Sequence, residues 1–237
     1  MSKSSTINNL NKSFIPDDSP NSKGVPIENP TCTSGPITVY FRDAMEQLAK
    51  RIKEADYVFG CVAWLTNERI LNALSEAKGV AVVVAKEDWL RPDIDQYQSV
   101  KNLYNTLKPM EWSLRSLPFL DTSLRSVSMC SSIGYNDTVR CFGNFNSEKK
   151  LAWPRLHHKF LVFGNYNTET ESINPYGVWT GSLNLTHNSE QSLENGMFIL
   201  DSKLANAFSK EFTQIYAMSE GLDWNHIYTA PEYRIGT

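Results

Sequence analysis

The chain reads as an α/β fold, a mixed sheet flanked by helices on both faces. Three observations predict this. Strand-like and helix-like periodicities alternate as β-α-β-α-β between residues 37 and 85, the succession that builds a parallel or mixed sheet with helices packed on it. Within that stretch, residues 57–65 and 80–85 are almost wholly apolar, as strands covered on both faces are. Residues 201–218 then place Leu204, Phe208, Phe212, Ile215 and Tyr216 on one stripe, which predicts an amphipathic closing helix.

The elements follow in order. Residues 1–36 are rich in Ser, Asn, Pro and Lys, with Pro16, Pro20, Pro26, Pro30 and Pro36 as repeated breakers. So few apolar residues predict a flexible or irregular N-terminal arm. Phe14, Ile15, Val25 and Ile27 are the side chains able to tie it to the body or to a partner subunit. A single domain is expected over residues 37–237. Its first strand is residues 37–41, β-branched and aromatic. Asp43 is placed to cap a helix running to about Ala55, with Ala44, Leu48, Ile52 and Ala55 at helical spacing. Thr66 and Asn67 cap a second helix, residues 68–77, which Gly79 stops. A third is predicted over residues 95–107 through Tyr97, Val100, Leu103, Tyr104 and Leu107, ended by Pro109. Residues 111–145 hold short strand candidates separated by Ser, Gly and Asn. Leu156 and Phe160 to Phe163 form a strand and residues 177–180 another, with residues 165–175 a polar loop between them. Residues 197–200 are the last strand.

Composition narrows the function classes. A chain of 237 residues, 41% hydrophobic and 21% charged, is ordinary for a soluble globular domain. Its net charge of -3 gives no global basic field of the kind a nonspecific DNA coat displays. The four cysteines, Cys32, Cys61, Cys130 and Cys141, include no C-x-x-C pair. They read as reduced and structural, and no His lies close enough in sequence to suggest a zinc cluster. No apolar run approaches the ~18 residues that span a bilayer, and the start of the chain has no signal-peptide core. A cytoplasmic protein without cofactors or membrane attachment is expected.

The chemistry gathers between residues 156 and 199. His157 and Lys159 are two apart, so alternation puts both on one face of a strand. Gly181-Ser182-Leu183-Asn184 ends the next apolar run, and Glu194 lies ten residues beyond Asn184. A neutral imidazole can attack phosphorus to give a phosphohistidine that water later hydrolyses. Lys159 can clamp a non-bridging oxygen, Asn184 can donate to another with Ser182 close by, and Glu194 can hold the far imidazole nitrogen. No metal is required. Taken singly, an H-x-K is most often a surface pair, G-S-x-N a common turn, and a glutamate before a strand a solvated group. Their order, each beside an apolar strand, is far more specific.

His157-x-Lys159, then Gly181-Ser182-Leu183-Asn184-Leu185-Thr186, then Glu194-Asn195 resembles the phospholipase D superfamily signature. The strand-helix-strand of residues 57–85, with Ala63-Trp64-Leu65-Thr66-Asn67-Glu68, is similar to the first half of small bacterial members. The resemblance spans residues 37–218. It implies a phospholipase D-like fold, His157 as nucleophile, Lys159 and Asn184 as phosphate binders, and Glu194 as the family glutamate. One departure is Gly164, which stands where the motif usually has Asp, often a structural hydrogen-bonder. His158, between the motif residues, is expected to pack on the opposite face.

Family sites use two H-x-K motifs, one attacking and one protonating the leaving oxygen. This chain has one, since neither His187 nor His226 begins another. The economical solution is a homodimer in which two His157 side chains meet across a twofold axis. Five basic residues (Arg140, Lys149, Lys150, Arg155 and Lys159) against Asp137 and Glu148 between residues 133 and 160 form a local patch able to guide a polyanion, or a solvated loop. Ser182, Lys149, Lys150 and Arg155 are the candidate substrate binders, and Phe145 and Trp153 are candidates to stack on unpaired bases. Small single-motif members being most often nucleases, the resemblance points to an endonuclease acting on DNA or RNA. A catalytically silent module binding nucleic acid or protein is the alternative, for which Gly164 is the best support. A phospholipid hydrolase is a weaker one, since the chain offers no amphipathic membrane face.

Overall fold

A computed structural model of the chain describes residues 9–15, 19, 24–29, 31–90, 94–95, 97–110, 136–143 and 154–222. In chain order the strands are β1 (Phe14–Ile15), β2 (Val25–Pro26), β3 (Cys32–Ser34), β4 (Ile37–Tyr40), β5 (Tyr57–Val62), β6 (Gly79–Ala85), β7 (Asn136–Phe142), β8 (Lys159–Asn167), β9 (Ser172–Gly181), β10 (Gly196–Ile199) and β11 (Glu220–Leu222). The helices are α1 (Ala44–Lys53), α2 (Glu68–Glu76), α3 (Gln98–Tyr104) and α4 (Ser202–Met218). Among the described residues no helix is long and apolar enough to cross a membrane.

Among the described residues nine strands form one mixed sheet in the order β11-β7-β6-β5-β8-β9-β10-β4-β3. β5, β6 and β7 run parallel, while the pairs from β5/β8 outward to β4/β3 are antiparallel. Alternation divides the core in two. Val58, Val62, Leu161 and Phe163 point to the face covered by α1, α2 and α3, packing with Leu48, Ile52, Ile70, Leu74, Val100 and Tyr104. Phe59, Cys61, Phe160 and Val162 point to the other, where α4 supplies Phe212 and Ile215. Strands buried on both sides carry unbroken apolar runs for this reason.

Several local expectations change. Asp43 does not cap α1: it sits in the left-handed region (φ 55°) and makes no side-chain capping bond, because a capping residue needs an extended backbone to reach the first-turn N–H groups. Asn67 does cap α2, accepting from Ile70 N at 3.2 Å. Gly79 opens β6 instead of ending α2, whose C-cap is Ala77. Residues 165–175 form the end of a β8–β9 hairpin, not a loop. Its polar outer residues hide the strand period, and the turn is closed by Asn167, whose side chain accepts from the backbone N–H groups of Glu169 and Thr170. Pairing also begins before residue 37, since β3 adds to the sheet edge at β4. Upstream, β1 and β2 form a ribbon of their own with Phe14, Ile15 and Val25 exposed. Lys149, Lys150, Phe145, Trp153 and Cys130 lie outside the described residues.

The pairing brings the motifs together. β8 runs antiparallel to β5 with Lys159 opposite Val62, so β8 starts where β5 ends. β9 ends beside it, Thr180 opposite Phe160, and Gly181 faces Gly196 at the start of β10. All three motif segments therefore meet at the carboxyl ends of the parallel strands, where α/β sheets leave a crevice for ligands.

Candidate active site

His157 lies exposed just before β8, and Lys159 is its first residue. The Lys159 ammonium stands 3.1 Å from both His157 ring nitrogens and donates to the His157 carbonyl at 2.9 Å. His158 turns to the opposite face, as alternation requires, where it packs edge-on against Phe160 and lies 3.5 Å from Glu211 of α4. Its carbonyl accepts from Ala63 N at 2.8 Å, tying the H-x-K segment to the end of β5.

The second motif is built around a close approach. A Cβ on Gly181 would lie 2.3 Å from the Asn195 carbonyl. Only glycine leaves room there for Ser182 N to donate to Asn195 O at 3.1 Å. Ser182 Oγ in turn donates to Glu194 at 2.5 Å and accepts from Asn195 N at 3.1 Å. The two segments thus hold one another. Asn184 is placed by its neighbour: Leu185 N donates to Trp64 O at 3.1 Å, while Thr66 and Asn67 donate back to Leu185 O at 2.8 and 2.9 Å. Asn184 Oδ1 is buried without a hydrogen-bond partner, an atom that ordinarily finds one.

The local field favours a neutral imidazole. Partial burial, and then the positive charges of Lys159 and Arg155 and the neighbouring His158, hold His157 below the ordinary histidine range. Burial also pulls Lys159 down, opposed by the charge of Glu194. Glu194 therefore acts on Lys159 electrostatically and is hydrogen-bonded by Ser182; the ring contacts of His157 are with Lys159 and Trp64.

Arg155 Nη1 donates to Glu87 Oε1 at 3.2 Å. Arg140 belongs to the other side of the sheet, bonded to Ser219 and stacked 5.0 Å from the Tyr216 ring, and so does not share a face with Lys159. Two further residues join this site, Trp64 beside the imidazole and Glu87 beside Trp64. Trp64 meets the imidazole edge-on, with centroids 5.6 Å apart at 81°, and its indole N–H donates to Glu87 at 3.1 Å. Both residues follow the ends of parallel strands, β5 and β6, and that position was the available signal.

Glu194 and Leu183 also line a cavity of about 620 Å³, with Asn11, Lys12, Arg42 and Arg69 among its other walls. His157 and Lys159 do not line it. Asn11 donates to the carbonyls of Glu190 and Ser192 at 3.1 and 3.0 Å, fastening the arm to the loop that leads into Glu194.

Comparison with known proteins bears on the family and the fold. Residues 48–216 match the model of the family described as "Cardiolipin synthase, PLD-like domain". Uncharacterized protein L381 of Acanthamoeba polyphaga mimivirus is 36% identical over 204 residues, covering 79% of this chain and 68% of that protein. Among solved structures, NucT from Helicobacter pylori superposes with a TM-score of 0.51 at 13% identity, over 78% of this chain and 98% of that one. Nuc from Salmonella typhimurium, described as a phospholipase D family member, gives 0.47 at 16% identity, over 79% and 97%.

Proposed function

The chain belongs to the phospholipase D superfamily of phosphodiesterases, and from that premise we propose that it is a metal-independent endonuclease acting on DNA or RNA through a dimeric active site. The observation that carries the reading is the convergence of His157 and Lys159 with Ser182 and Glu194 at the carboxyl ends of the parallel strands. His157 attacks phosphorus in line, and the bond to the leaving sugar oxygen breaks. A protonated His157 of the partner subunit gives that oxygen its proton. Lys159 and Asn184 bear the charge on the non-bridging oxygens, Lys159 reaching any phosphate that the ring nitrogens attack. The partner's imidazole, now neutral, takes a proton from water, which attacks the phosphohistidine and frees His157. Depression of the His157 pKa favours the nucleophilic form. Ser182 orients Glu194, and Arg155, Lys149 and Lys150 are proposed to guide the polyanion.

Gly164, at the motif's Asp position, sits opposite Tyr57 in β8, five residues beyond Lys159. The test is cleavage of labelled single- and double-stranded oligonucleotides in excess chelator, with wild type against His157→Ala. Wild-type cleavage in chelator is expected, with a loss on the order of 10³-fold or more in the variant, as for removal of a nucleophile. Cleavage abolished by chelator refutes the metal-free mechanism, and full activity in His157→Ala refutes the assignment of the nucleophile. No cleavage by wild type, with retained oligonucleotide binding, turns the reading to a silent binding module. Light scattering is expected to give a dimer at micromolar concentration; a monomer that cleaves refutes the shared site.

A further inference from the structure

An in-line attack demands a fixed imidazole, yet His157 is exposed, and exposed side chains exchange rotamers freely unless something packs on them. Lys159 contacts the ring but is itself a flexible chain. Trp64 is different, because it is anchored at both ends. Its carbonyl accepts from Leu185 N at 3.1 Å, and its indole N–H donates to Glu87 Oε1 at 3.1 Å. Arg155 Nη1 donates to the same carboxylate oxygen at 3.2 Å and its guanidinium stands 6.0 Å from the indole centroid.

Glu87 has a firm base. Its neighbour Lys86 is buried and paired with Glu220 at 3.0 Å, with side chains only 4% and 11% exposed, and Lys86 N donates to Phe142 O at 3.2 Å. The chain of contacts thus runs from the ends of β6 and β7, through Glu87, to the indole and onto the edge of the imidazole. We propose that Trp64 is a positioning residue for His157, locked by Glu87 and Arg155, and that this network sets the rotamer from which the imidazole attacks. The inference rests on His157 as nucleophile, and its test separates the two.

The experiment follows the imidazole resonances of His157 by NMR, alongside kcat and KM on an oligonucleotide, in full-length wild type, Trp64→Leu, Glu87→Ala and Glu87→Gln. In Trp64→Leu the His157 signals should move toward exchange-averaged values. kcat should fall roughly 10- to 100-fold, the scale of a misplaced reacting group, with KM within about twofold. Glu87→Ala should reproduce much of this, whereas Glu87→Gln, which keeps an oxygen for the indole N–H, should recover most of it. The double variant Trp64→Leu/Glu87→Ala should be no worse than Trp64→Leu alone, since the two act as one unit. Unmoved His157 signals in folded Trp64→Leu, or an independent further loss from Glu87→Ala, overturn the proposal. If Trp64→Leu fails to fold, Trp64→Phe serves: Glu87→Ala in that background should add nothing, and an added effect overturns it. Should wild type not cleave nucleic acid, the nuclease reading fails by itself while the NMR arm still decides this one.

Discussion

Restoring the missing motif carboxylate, Gly164→Asp, should damage the fold without improving catalysis. Gly164 is buried in β8 at a register shift, paired with Pro175. A Cβ there would lie 2.6 Å from Ile173 Cγ2, closer than the 3.0 Å below which something must move. Ile173 is wholly buried, and a β-branched side chain has little freedom at χ1 with which to yield. Overpacking of this kind costs about 1–3 kcal/mol, and a desolvated carboxylate adds to it. At about 2–4 °C per kcal/mol for a chain of this size, the overpacking alone lowers Tm by roughly 2–12 °C. Five residue steps of strand separate position 164 from Lys159, about 16 Å, so turnover per folded molecule should stay within about twofold. Circular dichroism melts, together with oligonucleotide cleavage well below Tm, measure both quantities. Adding Ile173→Ala should recover part of the steric loss in the double variant. An unchanged or higher Tm in Gly164→Asp, or a tenfold gain in turnover, would refute the argument.

Three further outcomes are expected. The acid limb of kcat/KM should lie below the ordinary imidazole range, because burial, Lys159 and Arg155 disfavour protonation of His157. Lys159→Gln removes one of those charges, so along with lost turnover its acid limb should move to higher pH; a shift to lower pH contradicts the assignment. Asn67→Ala and Asp201→Ala each delete a capping bond, to Ile70 N and Leu204 N, and should cost about 1 kcal/mol in urea unfolding, while Asp43→Asn should cost almost nothing. Asn11→Ala removes both bonds from the arm to the carbonyls of Glu190 and Ser192; faster proteolysis within the arm is expected, with the melt of the sheet unaltered.

What was legible in the chain follows from period and burial. The apolar runs 57–65 and 80–85 announced strands because both faces of β5 and β6 are covered, and residues 201–218 a helix because one stripe of α4 is. The β8–β9 hairpin was misread beyond Phe163, where Asn165, Asn167 and Asn174 face outward and only partners across the ladder reveal the pairing. The Asp43 cap failed because composition shows a capping side chain but not the φ of its backbone.

For the site the division is similar. The order H-x-K, G-S-x-N, E was enough to place this chain in its superfamily and to nominate His157, Lys159, Ser182, Asn184 and Glu194, because chemistry at phosphorus needs those groups at fixed spacings along strands. Which partner each side chain chooses was decided only in three dimensions. Glu194 is taken by Ser182, Arg155 by Glu87, and Arg140 by the far face of the sheet. Trp64 reaches His157 because β8 begins where β5 ends, across some ninety residues of chain. Local pattern determines which groups a segment carries and which way it faces. Contacts between distant segments depend on strand order and register, and those are set by the packing of the whole core.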